Sequence, residues 1–165
     1  MARPRLDLET ARLRLRPWTP DDTTWHRHLV TERGGGTPTA EEDAAVVARL
    51  LDRARDHGVV PSVVVLKETG AVAGYCGLVV GQATVDEPEL AYELFEREHG
   101  HGYATEAARA VLAAAAESGR TRLWSTVRPG NAASFRVLDK LGFHRDHTTV
   151  DDRGEIVWSV LDLPV

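Results

Sequence analysis

Gly100 and Gly102 sit between a strand pattern and a helix pattern, an arrangement that can hold an anion. The turn is Arg97-Glu98-His99-Gly100-His101-Gly102. Before it, Glu89–Phe95 alternates apolar and polar residues, the period of a half-buried strand. After it, apolar residues at 104, 107, 108, 111, 112 and 115 share one helical face, and Gly119 offers a stop. The N–H groups of a first helical turn have no intrahelical partner, and the helix dipole adds partial positive charge there. Glycine removes the β-carbon where a phosphate must approach the backbone closely. Strand alternation places Glu89, Ala91 and Glu93 on one face and Leu90, Tyr92 and Leu94 on the other. Either glutamate could take a proton from a nucleophile, directly or through water. Downstream, Asn131 is a good N-cap, with the Ser134 hydroxyl three residues further on.

Arg97-x-x-Gly100-x-Gly102 followed by Tyr103-Ala104-Thr105-Glu106-Ala107 resembles the acyl-CoA pyrophosphate loop of the GNAT superfamily of N-acetyltransferases. The wider context is similar to its ribosomal-protein-alanine (Rim-type) branch. That context is Glu89-Leu90-Ala91-Tyr92 before the loop, Asn131-x-x-Ser134 leading to Lys140-Leu141-Gly142-Phe143, and the opening Leu8-Glu9-Thr10-x-Arg12-Leu13-x-Leu15-Arg16. The resemblance covers nearly the whole chain. It implies acetyl-CoA as cosubstrate and a primary amine as acceptor, with the amine attacking the thioester directly and no metal required.

The resemblance also distributes roles. The pyrophosphate falls to the loop from Arg97 through His99, Gly100, His101, Gly102, Tyr103 and Ala104 to Thr105, mostly by backbone donors, with the two histidines as loop-filling residues. The pantetheine arm pairs like an added strand with Leu94 and Phe95, and a backbone N–H near Leu94 faces the thioester oxygen. Asn131 reaches the pantetheine, caps its helix, or does both through different atoms. Many members place a tyrosine seven positions after this asparagine. Leu138 stands there, so help for the thiolate falls to Ser134 or to water. A thiolate of pKa about 8.5 leaves without much help. Glu89 matches the acid that opens this strand in the branch and is the preferred base, while Glu93 is nearer the acetyl end by strand order. The acceptor is a protein N-terminal α-amine or a small-molecule amine. A weak base suits the α-amine, whose pKa is about 7.7–8.0 against about 10.4 for lysine. Homodimers are common in the branch. The alternative is a non-catalytic acyl-CoA-binding or sensing module, which loss of the loop glycines or of all acid–base candidates would mark; neither is lost.

The elements around this centre follow from pattern. The 165 residues, 42% hydrophobic and 27% charged, fit one soluble domain over 1–165. Net charge is −5, which argues against a nucleic-acid binder. Arg12, Arg14 and Arg16 make a short basic stripe, expected to be a solvated strand face. Cys76 is the only cysteine, expected to be a small buried residue. No apolar run reaches the roughly 18 residues of a membrane span, and the start lacks a signal-peptide core, so a cytoplasmic location is expected. The expected elements are a strand near 12–17, a short helix from Asp21-Asp22 towards Val30, and a helix opened by the Thr39–Glu42 capping box and closed by Gly58. A hairpin of Ser62–Leu66 and Val72–Val80 follows, then the strand, loop and helix already described. Next come a strand at Arg122–Val127, a helix from Asn131 to Leu141 stopped by Gly142, and strands at His147–Val150 and Ile156–Leu163 around an Asp151–Gly154 turn. This order is that of the acyl-CoA N-acyltransferase fold. The resemblance implies an α/β (α+β) architecture: a mixed, mostly antiparallel seven-stranded sheet flanked by about four helices. In it the Glu89–Phe95 and Arg122–Val127 strands splay apart.

Overall fold

The computed structural model describes residues 1–165. In chain order the elements are β1 Leu8–Glu9, β2 Leu13–Arg16, α1 Thr23–Arg33, α2 Ala40–Asp56, β3 Pro61–Leu66, β4 Val72–Val79, β5 Glu89–Leu94, α3 Tyr103–Glu117, β6 Arg122–Val127, α4 Ala132–Leu141, β7 His144–Asp151 and β8 Gly154–Asp162. Single 3-10 turns precede α1 (Pro20–Asp22) and α3 (Glu96–Glu98). One sheet runs β1-β2-β3-β4-β5-β6-β8-β7, antiparallel at every junction except β5–β6. The expected mixed sheet is therefore present, with eight strands where seven were expected. The additional strand is β1, which pairs Leu8 with Leu15 and Glu9 with Arg14. Two residues carry no period, so alternation could not mark it. The closing hairpin is longer than expected. β7 is an edge strand with mostly exposed side chains, and an apolar pattern cannot delimit such a strand.

The two faces of the sheet carry separate apolar clusters. Leu13, Leu15, Val64, Cys76, Leu90 and Leu94 pack with Ala107, Ala108 and Val111 of α3. Trp18 and Val63, with the half-buried Tyr75, pack on the other face with Val47 and Leu50 of α2 and Trp25 of α1. Helix α2 starts on the expected box: Thr39 Oγ1 accepts from the Glu42 N–H, and Glu42 Oε2 accepts from the Thr39 N–H, both at 3.1 Å. Helices α1 and α2 are joined through the buried Asp43, which accepts from Thr23 Oγ1 (2.7 Å) and lies 2.6 Å from His26 Nδ1. Cys76 is fully buried, and burial pushes its thiol up to about 12.

The expected basic stripe does not exist as a free surface. Arg12 pairs with Glu106 (2.8 Å), Arg14 with Asp7 (3.6 Å) and Arg16 with the buried Asp22 (2.8 Å). Each partner lies outside the strand, Glu106 on a distant helix and Asp7 and Asp22 on the segments flanking it, so the strand's own sequence could not reveal them. No helix is long and apolar enough to cross a membrane.

Strand β4 contacts β5 along its length, and Gly74 permits it. A β-carbon there would stand 2.1 Å from the Glu93 carbonyl oxygen. The junction with β6 is the opposite case. Only Glu89↔Trp124 is in register. The Trp124 N–H bonds the Pro88 carbonyl and Ser125 Oγ bonds the Leu90 carbonyl, both at 3.0 Å. Beyond these bonds β5 and β6 share no register, so a wedge opens from Leu90 towards Leu94.

Candidate active site

The wedge edge of β5 follows from its pairing with β4. The Phe95 N–H donates to the Ala73 carbonyl at 2.9 Å. In an antiparallel ladder alternate residues bond the partner strand, so Phe95, Glu93 and Ala91 turn their backbone groups towards β4. Those of Leu90, Tyr92 and Leu94 face the wedge. The Leu90 carbonyl is taken by Ser125, and the Leu94 carbonyl lies 3.0 Å from His99 Nε2. What β5 offers to an added strand is thus the Leu94 N–H and both backbone groups of Tyr92. This corrects the expectation for Phe95, whose N–H is committed to β4. Sequence reading missed Tyr92, although the parity of the strand carried the signal.

The loop has the expected form. Gly100 and Gly102 are left-handed, at φ +78° and +80°. The first intrahelical bond of α3 runs from the Glu106 N–H to the Gly102 carbonyl at 3.0 Å. None of the six N–H groups from Gly100 to Thr105 donates to another group of the chain. Six successive free donors at the head of a 15-residue helix form a concentrated anion site. His101 stacks on Tyr103, with centroids 5.3 Å apart. Arg97 is not aimed over the loop. Its guanidinium lies 4.0 Å from the Phe95 ring centroid, donates to the Val72 carbonyl (3.3 Å) and sits 3.4 Å from Glu98. Tyr103, Ala104 and Thr105 form the first turn of α3.

Across the wedge, Asn131 caps α4. Its Oδ1 accepts from the Ser134 N–H at 3.2 Å, which leaves its amide nitrogen free. Tyr92 Oη donates to the Ser134 carbonyl at 3.2 Å and ties β5 to α4. Burial raises the Tyr92 phenol to about 12, so it remains a neutral donor. The structure thus brings Ser134 beside the wedge-facing strand. Leu138, seven positions after Asn131, is buried.

The two glutamates share a face, as alternation requires, but their environments differ. Glu93 is held by Arg33 of α1: Arg33 Nε donates to Oε2 at 2.9 Å and Nη2 donates to Oε1, which also accepts from Tyr75 Oη at 3.2 Å. Glu89 lies at the apex of the wedge, is 6% exposed, and its Oε1 has no hydrogen-bond partner. Burial raises its pKa above the usual carboxylate range, partly offset by the Thr126 hydroxyl and the Gln82 N–H. A carboxylate with one open oxygen, no ion-pair partner and a raised pKa is the better proton acceptor near neutral pH.

The acetyltransferase (GNAT) domain family matches residues 12–144. The chain belongs to the GNAT acetyltransferase family. It is 38% identical over 84 residues to the uncharacterised protein YkkB of Bacillus subtilis, covering 50% of this chain and 49% of that one, about half the length of that relative. Its fold superposes on an acetyltransferase from Agrobacterium tumefaciens with a TM-score of 0.79 at 29% identity, over 94% of this chain and 93% of that one. It is also similar in fold to Mycobacterium smegmatis RimJ, a structure in complex with CoA-disulfide. That match has a TM-score of 0.76 at 21% identity and covers 91% of this chain and 81% of that one. The expected GNAT family and fold thus hold for this chain.

Proposed function

We propose that this GNAT enzyme transfers the acetyl group of acetyl-CoA to a primary amine, either a protein N-terminal α-amine or a small-molecule amine. The observation that carries the reading is the run of six free N–H groups at the head of α3, next to a wedge edged by free backbone groups of β5. The pyrophosphate binds the loop, and the pantetheine adds to β5 at Tyr92 and Leu94. The neutral amine attacks the thioester carbon, and the N–C bond forms. Charge developing on the carbonyl oxygen is met by a wedge-facing N–H of β5. The C–S bond then breaks. The amine proton passes to Glu89, directly or through water, and the Ser134 hydroxyl hydrogen-bonds the departing thiolate. Glu93 serves as the anchor of Arg33 rather than as the base. Most of the acceleration comes from holding the two reactants in line.

Thiol release from acetyl-CoA over a panel of peptides and small amines tests the reading, paired with calorimetry of CoA on the Gly102→Glu variant. The reading expects turnover with at least one amine, and loss of CoA affinity in a variant that still folds. Binding without turnover on any amine would leave a CoA-binding module. Unchanged CoA affinity in Gly102→Glu would move the cofactor elsewhere.

A further inference from the structure

Arg12, just before β2, makes contacts that an exposed residue with no partners would not make. Its Nε donates to Glu106 Oε1 at 2.8 Å and its backbone N–H to Glu106 Oε2 at 3.0 Å. Its Nη2 donates to the His101 carbonyl at 2.9 Å, and its guanidinium carbon lies 4.5 Å from the Tyr103 ring centroid. Thr10 Oγ1 completes the cluster by donating to Glu106 Oε2 at 2.6 Å. One side chain therefore grips the carbonyl in the middle of the anion loop and the carboxylate on the first turn of α3.

Two consequences follow from peptide geometry and charge. In a trans peptide the C=O of one residue and the N–H of the next point in opposite directions. Fixing the His101 carbonyl on Arg12 therefore aims the Gly102 N–H away from Arg12, out of the β2 side of the loop. His101 is flanked by two glycines, the residues with most conformational freedom to lose on ordering. A loop ordered beforehand spares a ligand that cost. Glu106 stabilises the helix N-terminus, but its charge lies where a pyrophosphate would be repelled. Arg12 neutralises it in place.

We propose that Arg12 is a positioning residue that, by clasping the His101 carbonyl and Glu106 together, presets the loop for a pyrophosphate-bearing donor. The inference rests on the reading of the loop as the CoA site. An exposed ion pair alone would contribute little. Here the fork geometry of the guanidinium matters, because a lysine ammonium cannot hold both acceptors in that plane.

The test compares two donors, acetyl-CoA and S-acetylpantetheine, which lacks the pyrophosphate, in the wild type, Arg12→Ala and Arg12→Lys. Circular dichroism and melting confirm folding, and Arg12→Lys carries the comparison if Arg12→Ala does not fold. The expected result is a fall in kcat/KM for acetyl-CoA of about tenfold or more, through KM with kcat kept, in both variants. The value for S-acetylpantetheine stays at the wild-type level. Equal losses with both donors would make Arg12 merely structural and overturn the proposal. So would full recovery in Arg12→Lys, which would leave only its charge. A wild type that releases thiol from neither donor would sink the acetyl-transfer reading itself, a result separable from both.

Discussion

Gly81 lies so close over Glu89 that a β-carbon on it would stand 2.0 Å from Glu89 Oε2. Gly81 is also left-handed, at φ +53°. The loop after β4 and the first residue of β5 are therefore fitted to each other, and the carboxylate holds its place because position 81 has no side chain.

Gly81→Ala tests the importance of that placement. The new methyl group cannot coexist with the carboxylate as it stands, so the side chain of Glu89 must move. The variant is expected to lose activity without losing cofactor affinity, since residue 81 is remote from the Gly100–Gly102 loop in the sheet order. Steady-state kinetics with CoA calorimetry check this. Wild-type turnover would show that Glu89 need not sit where it does.

The two glutamates separate by pH. Glu89→Gln keeps the shape but removes the proton acceptor. Its rate should fall most at low pH and least above the amine's own pKa, where free amine is abundant. Glu93→Gln weakens the hold on Arg33 and should lower the rate by the same factor at every pH. Stability gives an independent sign. Burial raises the Glu89 pKa in the fold, so the fold favours the protonated acid. That contribution is complete below the unfolded value of about 4.3 and is lost as pH rises through the raised folded value. The melting temperature of the wild type should therefore drop relative to Glu89→Gln as pH rises above that range. A constant difference across pH would contradict the raised pKa of the buried carboxylate.

Ser134→Ala removes the hydroxyl beside the wedge. The Asn131 cap uses the Ser134 backbone N–H and the Tyr92 tie uses its carbonyl, so both survive the change. If the hydroxyl assists the thiolate, turnover should fall about 10-fold to 100-fold, roughly 1.4–2.7 kcal/mol of barrier, with melting unchanged. Unchanged turnover would assign the departing thiolate to water.

Local order determined much of this protein before any contact was known. The glycine loop ahead of α3, the Thr39 box, the Asn131 cap with Gly142 as stop, and the shared face of Glu89 and Glu93 all follow from spacings of a few residues. Backbone sterics, capping and strand alternation act over that range. Tertiary structure decided what each group meets. Glu93 is ion-paired and Glu89 keeps an open oxygen because Arg33, 60 residues from Glu93, reaches one and not the other. Arg12, although exposed, is a clasp because Glu106, 94 residues away, folds beside it. Phe95 yields its place on the wedge to Tyr92 because β4 takes the Phe95 N–H. A residue's conformation is set mainly by its neighbours in sequence. Its charge state, partners and accessibility are set by its neighbours in space, and only the folded chain supplies those.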